Sequence, residues 1–68
     1  MNKLTSLELQ EHEERVNRHM MIFPLHKKND VHIQMIRLHH PKLYNNIKDK
    51  LSKSLTEEKL LAVIKGDI

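Results

Sequence analysis

Apolar side chains recur at helical spacing in four segments of the chain. The first segment opens with a capping-box pattern, in which Thr5 and Glu8 can each bond the other's backbone amide. This pattern predicts a helix from about Ser6 to Met20. Only a thin stripe of this helix is apolar, with members seven residues apart: Leu9, Val16 and Phe23. We therefore expect much of its surface to face water or a polar partner.

A second helix is expected after a proline-containing loop. Pro24 ends the first helix or lies just past it, because proline lacks an amide donor and pushes Phe23 out of the helical region. Asp30 then suits the N-cap of a helix from Val31 to about His39. Apolar residues surround this short helix almost completely, which indicates that it is central in the fold or lies at a subunit interface.

The same region also permits a β-hairpin. Apolar and polar residues alternate from Val31 to Met35, which is the period of a strand. Paired with the preceding apolar run across a polar turn, this segment would form a hairpin at about residues 20–37 and change the fold class to α+β. The alternation stops after Met35, and an isolated hairpin is only marginally stable. The helical interpretation is therefore preferred.

The C-terminal half predicts two further helices. Pro41 suits the first turn of a helix to about Lys53, and the apolar stripe of that helix repeats every four residues: Leu43, Ile47 and Leu51. A second capping-box pattern at residues 54–57 introduces a short apolar helix that ends at Gly66. The sequence thus predicts one small all-α domain of three or four helices over residues 1–68.

The composition suggests how so short a chain is stabilised. Its 68 residues are 38% hydrophobic and include no cysteine, so disulfides and thiolate metal sites are excluded. Oligomerisation is the remaining reinforcement, and a homodimer is expected. The absence of a signal peptide or an apolar spanning segment predicts a cytoplasmic location. Abundant Lys, Asn, Ile and Leu resemble low-GC bacterial or phage coding.

Large apolar side chains are more numerous than one thin bundle readily covers. We expect the following residues to form a partner-binding surface: Met20, Met21, Ile22, Phe23, Ile33 and Ile36. Catalysis is not expected, because no cysteine nucleophile exists and the serines lie at helix starts or on polar faces. The preferred hypothesis is a small non-catalytic regulator or inhibitor that docks a helix face onto another protein and needs no cofactor.

Charge gives an alternative hypothesis, a helix-turn-helix DNA-binding regulator. The formal net charge is +3, and the excess lies entirely in residues 31–68. The predicted second and third helices would be the two helices of the motif, with His39 and His40 as the turn. The candidate DNA contacts are Arg37, Lys42, Asn45, Asn46 and Lys48. The turn contains no glycine or other small residue, which counts against this motif.

Six histidines are the most unusual feature of the composition. His12 and His19 are seven residues apart on one helix face, and His32 and His39 repeat that spacing. Two helical turns separate such side chains by roughly 10 Å, too far to share one ion directly. We therefore expect no metal site and assign the histidines to helix faces, caps or interfaces. A pH-sensing role is the alternative.

Overall fold

The chain forms four α-helices in the part described by the computed structural model, residues 3–51 and 56–66. They are α1 (Ser6–Ile22), α2 (Lys28–His39), α3 (Pro41–Leu51) and α4 (Glu57–Lys65). The all-α prediction is confirmed, and these residues contain no strand. The alternative hairpin at residues 20–37 is wrong, because that segment forms the end of α1, a loop and most of α2.

The predicted capping box at the start of α1 is confirmed. The Thr5 hydroxyl oxygen accepts a hydrogen bond from the Glu8 amide at 3.2 Å, and the Thr5 amide donates to the Glu8 carboxylate at 3.1 Å. The helix extends two residues beyond the predicted end at Met20. It closes where the Phe23 amide donates to the His19 carbonyl oxygen at 2.8 Å.

The start of α2 differs from the prediction by one turn. The helix begins at Lys28, and Lys27 is its N-cap without a side-chain cap hydrogen bond. Asp30, the predicted N-cap, lies in the first turn instead. An aspartate is favourable at both places, because its carboxylate also stabilises the positive end of the helix dipole.

The ends of α3 and α4 follow local signals. α3 begins at Pro41 as predicted, and its predicted end at about Lys53 lies outside the described residues. Thr56 caps α4, and its hydroxyl oxygen accepts from the Lys59 amide at 3.3 Å, whereas the capping box expected at residues 54–57 begins outside the described residues. α4 ends at Gly66, which adopts the left-handed conformation with φ +79° that glycine tolerates best.

α2 is the central element, since it packs against α1, α3 and α4. This confirms the interpretation of its nearly continuous apolar surface. The main core cluster consists of Leu4, Ile36, Leu43, Ile47, Leu60, Val63 and Ile64. The segment before α1 joins this core, because Leu4 is buried and its amide donates to the Ile64 carbonyl oxygen at 3.1 Å.

Candidate interaction surface and histidine pairs

The six apolar residues predicted to bind a partner divide between surface and core. Three are exposed at the end of α1: Met21 at 84%, Ile22 at 65% and Phe23 at 47%. Met20 is half-buried, and Ile33 packs partly buried against the core cluster. Ile36 is fully buried in that cluster, so it has no surface to offer to a partner.

The exposed members are consecutive in the sequence, and Leu25, two residues further on, is 97% exposed. We call Met21, Ile22, Phe23 and Leu25 the apolar corner. The corner is exposed because α1 ends at Ile22 and Pro24 lies in the turn that leads to α2. Four large exposed apolar side chains within five residues make this segment a candidate interaction site, because clustered apolar exposure marks binding surfaces whereas single exposed apolar residues are ordinary.

A groove between α1 and α2 continues from the apolar corner. It has a volume of about 370 Å³ and is lined by Arg15, Arg18, His19, Ile22, Met35 and His39. Ile22 belongs to both the groove and the corner. None of the lining residues is acidic, although the Arg15 guanidinium lies 3.6 Å from the Glu11 carboxylate, so the groove combines apolar contact area with a partly compensated positive charge.

The residues of the DNA-binding alternative are all exposed: Arg37, Lys42, Asn45, Asn46 and Lys48. α3 buries Leu43 and Ile47 in the core, which leaves its polar residues on the opposite side. A single residue, His40, connects α2 to α3. A helix-turn-helix has a turn of about three to four residues, so this connection departs from the motif.

Two histidines that the sequence placed on helix faces meet inside the protein. His12 of α1 is 0% exposed and His32 of α2 is 2% exposed. The His12 Nε2 and His32 Nδ1 atoms lie 2.8 Å apart, so one imidazole donates a hydrogen bond to the other. His12 fills the apolar stripe of α1 between Leu9 and Val16, where the sequence contains no apolar residue.

The groups around the buried pair indicate which of its ring nitrogens carry protons. No described residue gives a hydrogen-bond partner to His12 Nδ1 or His32 Nε2, and Glu57 Oε1 lies 3.8 Å from His32 Nε2. A proton on His32 Nε2 faces that carboxylate, and His12 Nε2 then donates to His32 Nδ1. This arrangement leaves a bare acceptor at His12 Nδ1 rather than an unpaired buried donor, which is the less costly choice.

Burial keeps both imidazoles of this pair neutral. Desolvation lowers the pKa of His12 to about 4, and the nearby His32 adds a smaller effect in the same direction. Desolvation also lowers the pKa of His32, although the carboxylate of Glu57 partly opposes that shift. The pair therefore acts at neutral pH as a hydrogen-bonded contact between α1 and α2, without charge.

An ion pair lies beside the buried histidines at the junction of α2 and α4. Lys28 Nζ is 2.9 Å from Glu57 Oε1, and this hydrogen bond is the main reason that the pKa of Glu57 is lowered. The adjoining cleft has a volume of about 100 Å³. Metabolite sites usually occupy several hundred cubic ångströms, so this polar cleft is too small for such a ligand.

A second histidine pair lies on the surface of the apolar corner. His19 Nε2 and His26 Nδ1 are 2.9 Å apart. The Phe23 ring lies between them in sequence and contacts both, with ring centroids 4.9 Å from His19 and 5.1 Å from His26. The Phe23 and His26 rings are nearly parallel, at 8°.

Neither histidine pair was identified from the sequence. Sequence spacing relates residues within one helix, whereas each pair joins two different elements. One signal was present: His12 lies three residues after Leu9 and four before Val16, which places it on the core stripe of α1. The partner of His26 had no comparable signal, because His26 lies in a loop.

Comparison with known proteins gives no relative. No protein-family model matches the chain, and neither a curated protein nor a solved structure is significantly similar to it. Within residues 3–51 and 56–66, no helix has the length and apolar character needed to cross a membrane. The same residues hold no group of three or more metal-ligating side chains arranged around one ion.

Proposed function

We propose that this protein is a small non-catalytic regulator or inhibitor that acts by binding another polypeptide through the apolar corner. The observation that carries the proposal is the exposure of Met21, Ile22 and Leu25 within five residues of the chain, at 84%, 65% and 97%. Such side chains gain free energy when a partner removes them from water, at roughly 25 cal/mol per Å² of apolar area.

The charges near the corner indicate what kind of partner fits. Arg15 and Arg18 line the groove that shares Ile22 with the corner, and Lys27 follows the corner in the loop. A complementary surface therefore offers an apolar pocket bordered by carboxylates. A second copy of the chain also qualifies, because the first half of α1 contains Glu8, Glu11, Glu13 and Glu14. A homodimer remains part of this proposal.

The test compares charged substitutions inside and outside the corner. Met21→Glu and Leu25→Glu place a charge within it, and Leu7→Glu serves as the control because Leu7 is a similarly exposed residue near the other end of α1. Sedimentation velocity at micromolar concentration measures self-association of each full-length chain. Affinity capture from extracts of the native host measures binding to other proteins.

We expect Met21→Glu and Leu25→Glu to abolish self-association or capture of the partner protein. The Leu7→Glu variant should retain whichever of the two the original chain shows. Circular dichroism should show unchanged helicity for all three variants, because the substituted side chains lie outside the core. A chain that neither self-associates nor captures a protein overturns the proposal. Equal loss in the Leu7→Glu control also overturns it, since the effect then does not belong to the corner.

DNA binding is the second candidate function, and the exposure of all five predicted contact residues supports it. The one-residue connection at His40 argues against groove reading by a helix-turn-helix. Contact to phosphates through α3 is the form that we propose, in which Lys42 and Lys48 supply the charge. Protein binding is preferred because a net charge of +3 gives only a weak attraction to nucleic acid.

Duplex binding at low and moderate salt tests this second candidate. If α3 contacts phosphates, retention at low salt falls steeply as salt rises, and Lys42→Ala combined with Lys48→Ala reduces the salt dependence. Lys65→Ala is the control, because Lys65 is an exposed lysine at the end of α4. No retention at low salt excludes DNA as the partner.

A further inference from the structure

The surface pair of histidines differs from the buried pair in one chemically important respect. His12 and His32 are enclosed, so no further ligand can approach the space between them. His26 is exposed and His19 is only half-buried, so water or another ligand can reach the facing nitrogens of this second pair. A site with two fixed imidazoles and open positions has the requirements of a metal chelate.

We propose that His19 and His26 bind one divalent transition-metal ion of the class that prefers imidazole, with Cu²⁺ preferred over Zn²⁺. His19 supplies Nε2, His26 supplies Nδ1, and water completes the coordination. The proposal does not depend on the identity of the protein partner.

The separation of the two nitrogens is short enough for both to reach one ion. A metal–imidazole bond is about 2.0–2.1 Å long, so two ligands at 90° in square-planar or octahedral geometry have nitrogens about 2.9 Å apart. Two ligands at a tetrahedral angle would be about 3.3 Å apart. The observed distance is 2.9 Å. This is the length of the hydrogen bond between the rings, so each ring must turn for both lone pairs to point at one ion. Cu²⁺ is preferred because it has the highest affinity among first-row divalent ions.

The surroundings of the pair hold the two imidazoles close to each other before a metal arrives. The Phe23 amide donates to the His19 carbonyl oxygen at 2.8 Å, and the His26 amide donates to the Phe23 carbonyl oxygen at 3.1 Å. The Phe23 ring contacts both imidazoles, and Pro24 restricts the intervening backbone. Less conformational entropy is lost when a preorganised pair binds.

Proton balance does not oppose metal binding. In the free protein, the N–H of one imidazole donates a hydrogen bond to the facing nitrogen of the other at 2.9 Å. When the ion binds, the donor imidazole carries its proton on its other ring nitrogen instead, so both facing nitrogens present lone pairs. Arg15 and Arg18 line the same groove as His19, and their charge limits the affinity for a cation.

Calorimetric titration of the full-length chain without a histidine tag tests the site with Cu²⁺ as the probe. His19→Ala and His26→Ala each convert two ligands to one, and we expect each to weaken binding at least about tenfold. His40→Ala is the control, because His40 lies in a different pocket beside Glu8, and its variant should bind within about twofold of the original chain. His26→Gln can still hydrogen-bond to His19 but is a poor Cu²⁺ ligand, and it should behave like His26→Ala.

Spectroscopy on the unmodified chain gives an independent measurement. Electron paramagnetic resonance of the Cu²⁺ complex should show hyperfine coupling to two imidazole nitrogens. In nuclear magnetic resonance with Zn²⁺, the ring signals of His19 and His26 should shift, and those of His12 and His32 should not. The proposal is overturned by coupling to only one nitrogen, by unchanged affinity in the His19→Ala and His26→Ala variants, or by an equal loss in His40→Ala.

Discussion

The buried imidazole pair shows how one hydrogen bond fixes the contact between two helices. His12 lies at a core position of α1 and His32 at a core position of α2, and each satisfies one nitrogen of the other at 2.8 Å. An apolar pair would tolerate sliding of α1 along α2 more easily, because dispersion contacts have no direction. The histidine pair therefore specifies the packing register as well as contributing to burial.

A double-mutant cycle on this pair should show strong coupling. His12→Leu alone leaves His32 Nδ1 buried without a partner, and we expect it to lower the free energy of unfolding by about 2 kcal/mol. His32→Leu should act similarly. Replacing both should cost less than the sum of the single changes, because no buried polar group is then left unpaired. Urea denaturation measures these energies, and additive losses would contradict the pairing.

The same pair predicts acid sensitivity with a definite sign. The pKa of His12 is about 4 in the folded chain and near the ordinary histidine value of 6.5 when unfolded, so the unfolded state binds more protons between those values. Stability is therefore greatest above pH 6.5 and decreases as the pH falls towards 4. The full shift corresponds to at most about 3 kcal/mol, and the lowered pKa of His32 acts in the same direction.

Urea midpoints measured between pH 7 and pH 4.5 check this expectation. The His12→Leu/His32→Leu variant is the matched control, since it keeps every other titratable group, and its midpoint should change much less over this range. The carboxylates of Glu8 and Glu57 have a lowered pKa, so their contributions are lost at more acidic pH. An equal pH dependence in both chains would show that other groups control acid stability.

At the level of elements, helix ends were predictable where one side chain or backbone conformation decides them. Thr5 and Glu8 fix the start of α1, Pro41 begins α3 and Gly66 ends α4. The start of α2 was not predictable in this way, because Asp30 stabilises a helix either as a cap or within the first turn. Tertiary contacts with α1, α3 and α4 are not encoded in that local signal.

The cap of α1 gives a prediction at this scale. Thr5→Ala removes the hydroxyl oxygen that accepts from the Glu8 amide, and it should lower the free energy of unfolding by about 1 kcal/mol. Ser6→Ala is the control, because Ser6 is the neighbouring residue inside the helix and is also exposed. Thermal denaturation measures both, and a similar loss in the control would show that the cap is not responsible.

At the scale of the whole molecule, the sequence predicted the fold class and the number of helices better than it predicted which apolar residues are exposed. Counting apolar residues assigned Ile36 to a partner-binding face, although it is buried at the centre of the core. Leu25 was placed in a loop and left out, although it is 97% exposed. Helical periodicity identifies which residues share a face, but which face is covered depends on the packing of α2 against the other helices.

The central position of α2 predicts that the described helices unfold together. α1, α3 and α4 each pack against α2, so loss of α2 removes the partner of all three. Tyr44 of α3 packs against the core cluster and is the chain's single tyrosine, with no tryptophan present, which makes its fluorescence a local probe. Urea curves followed by Tyr44 fluorescence and by far-ultraviolet circular dichroism should coincide. Separate transitions would mean that α1 with its histidine contacts unfolds independently of the core around α3 and α4.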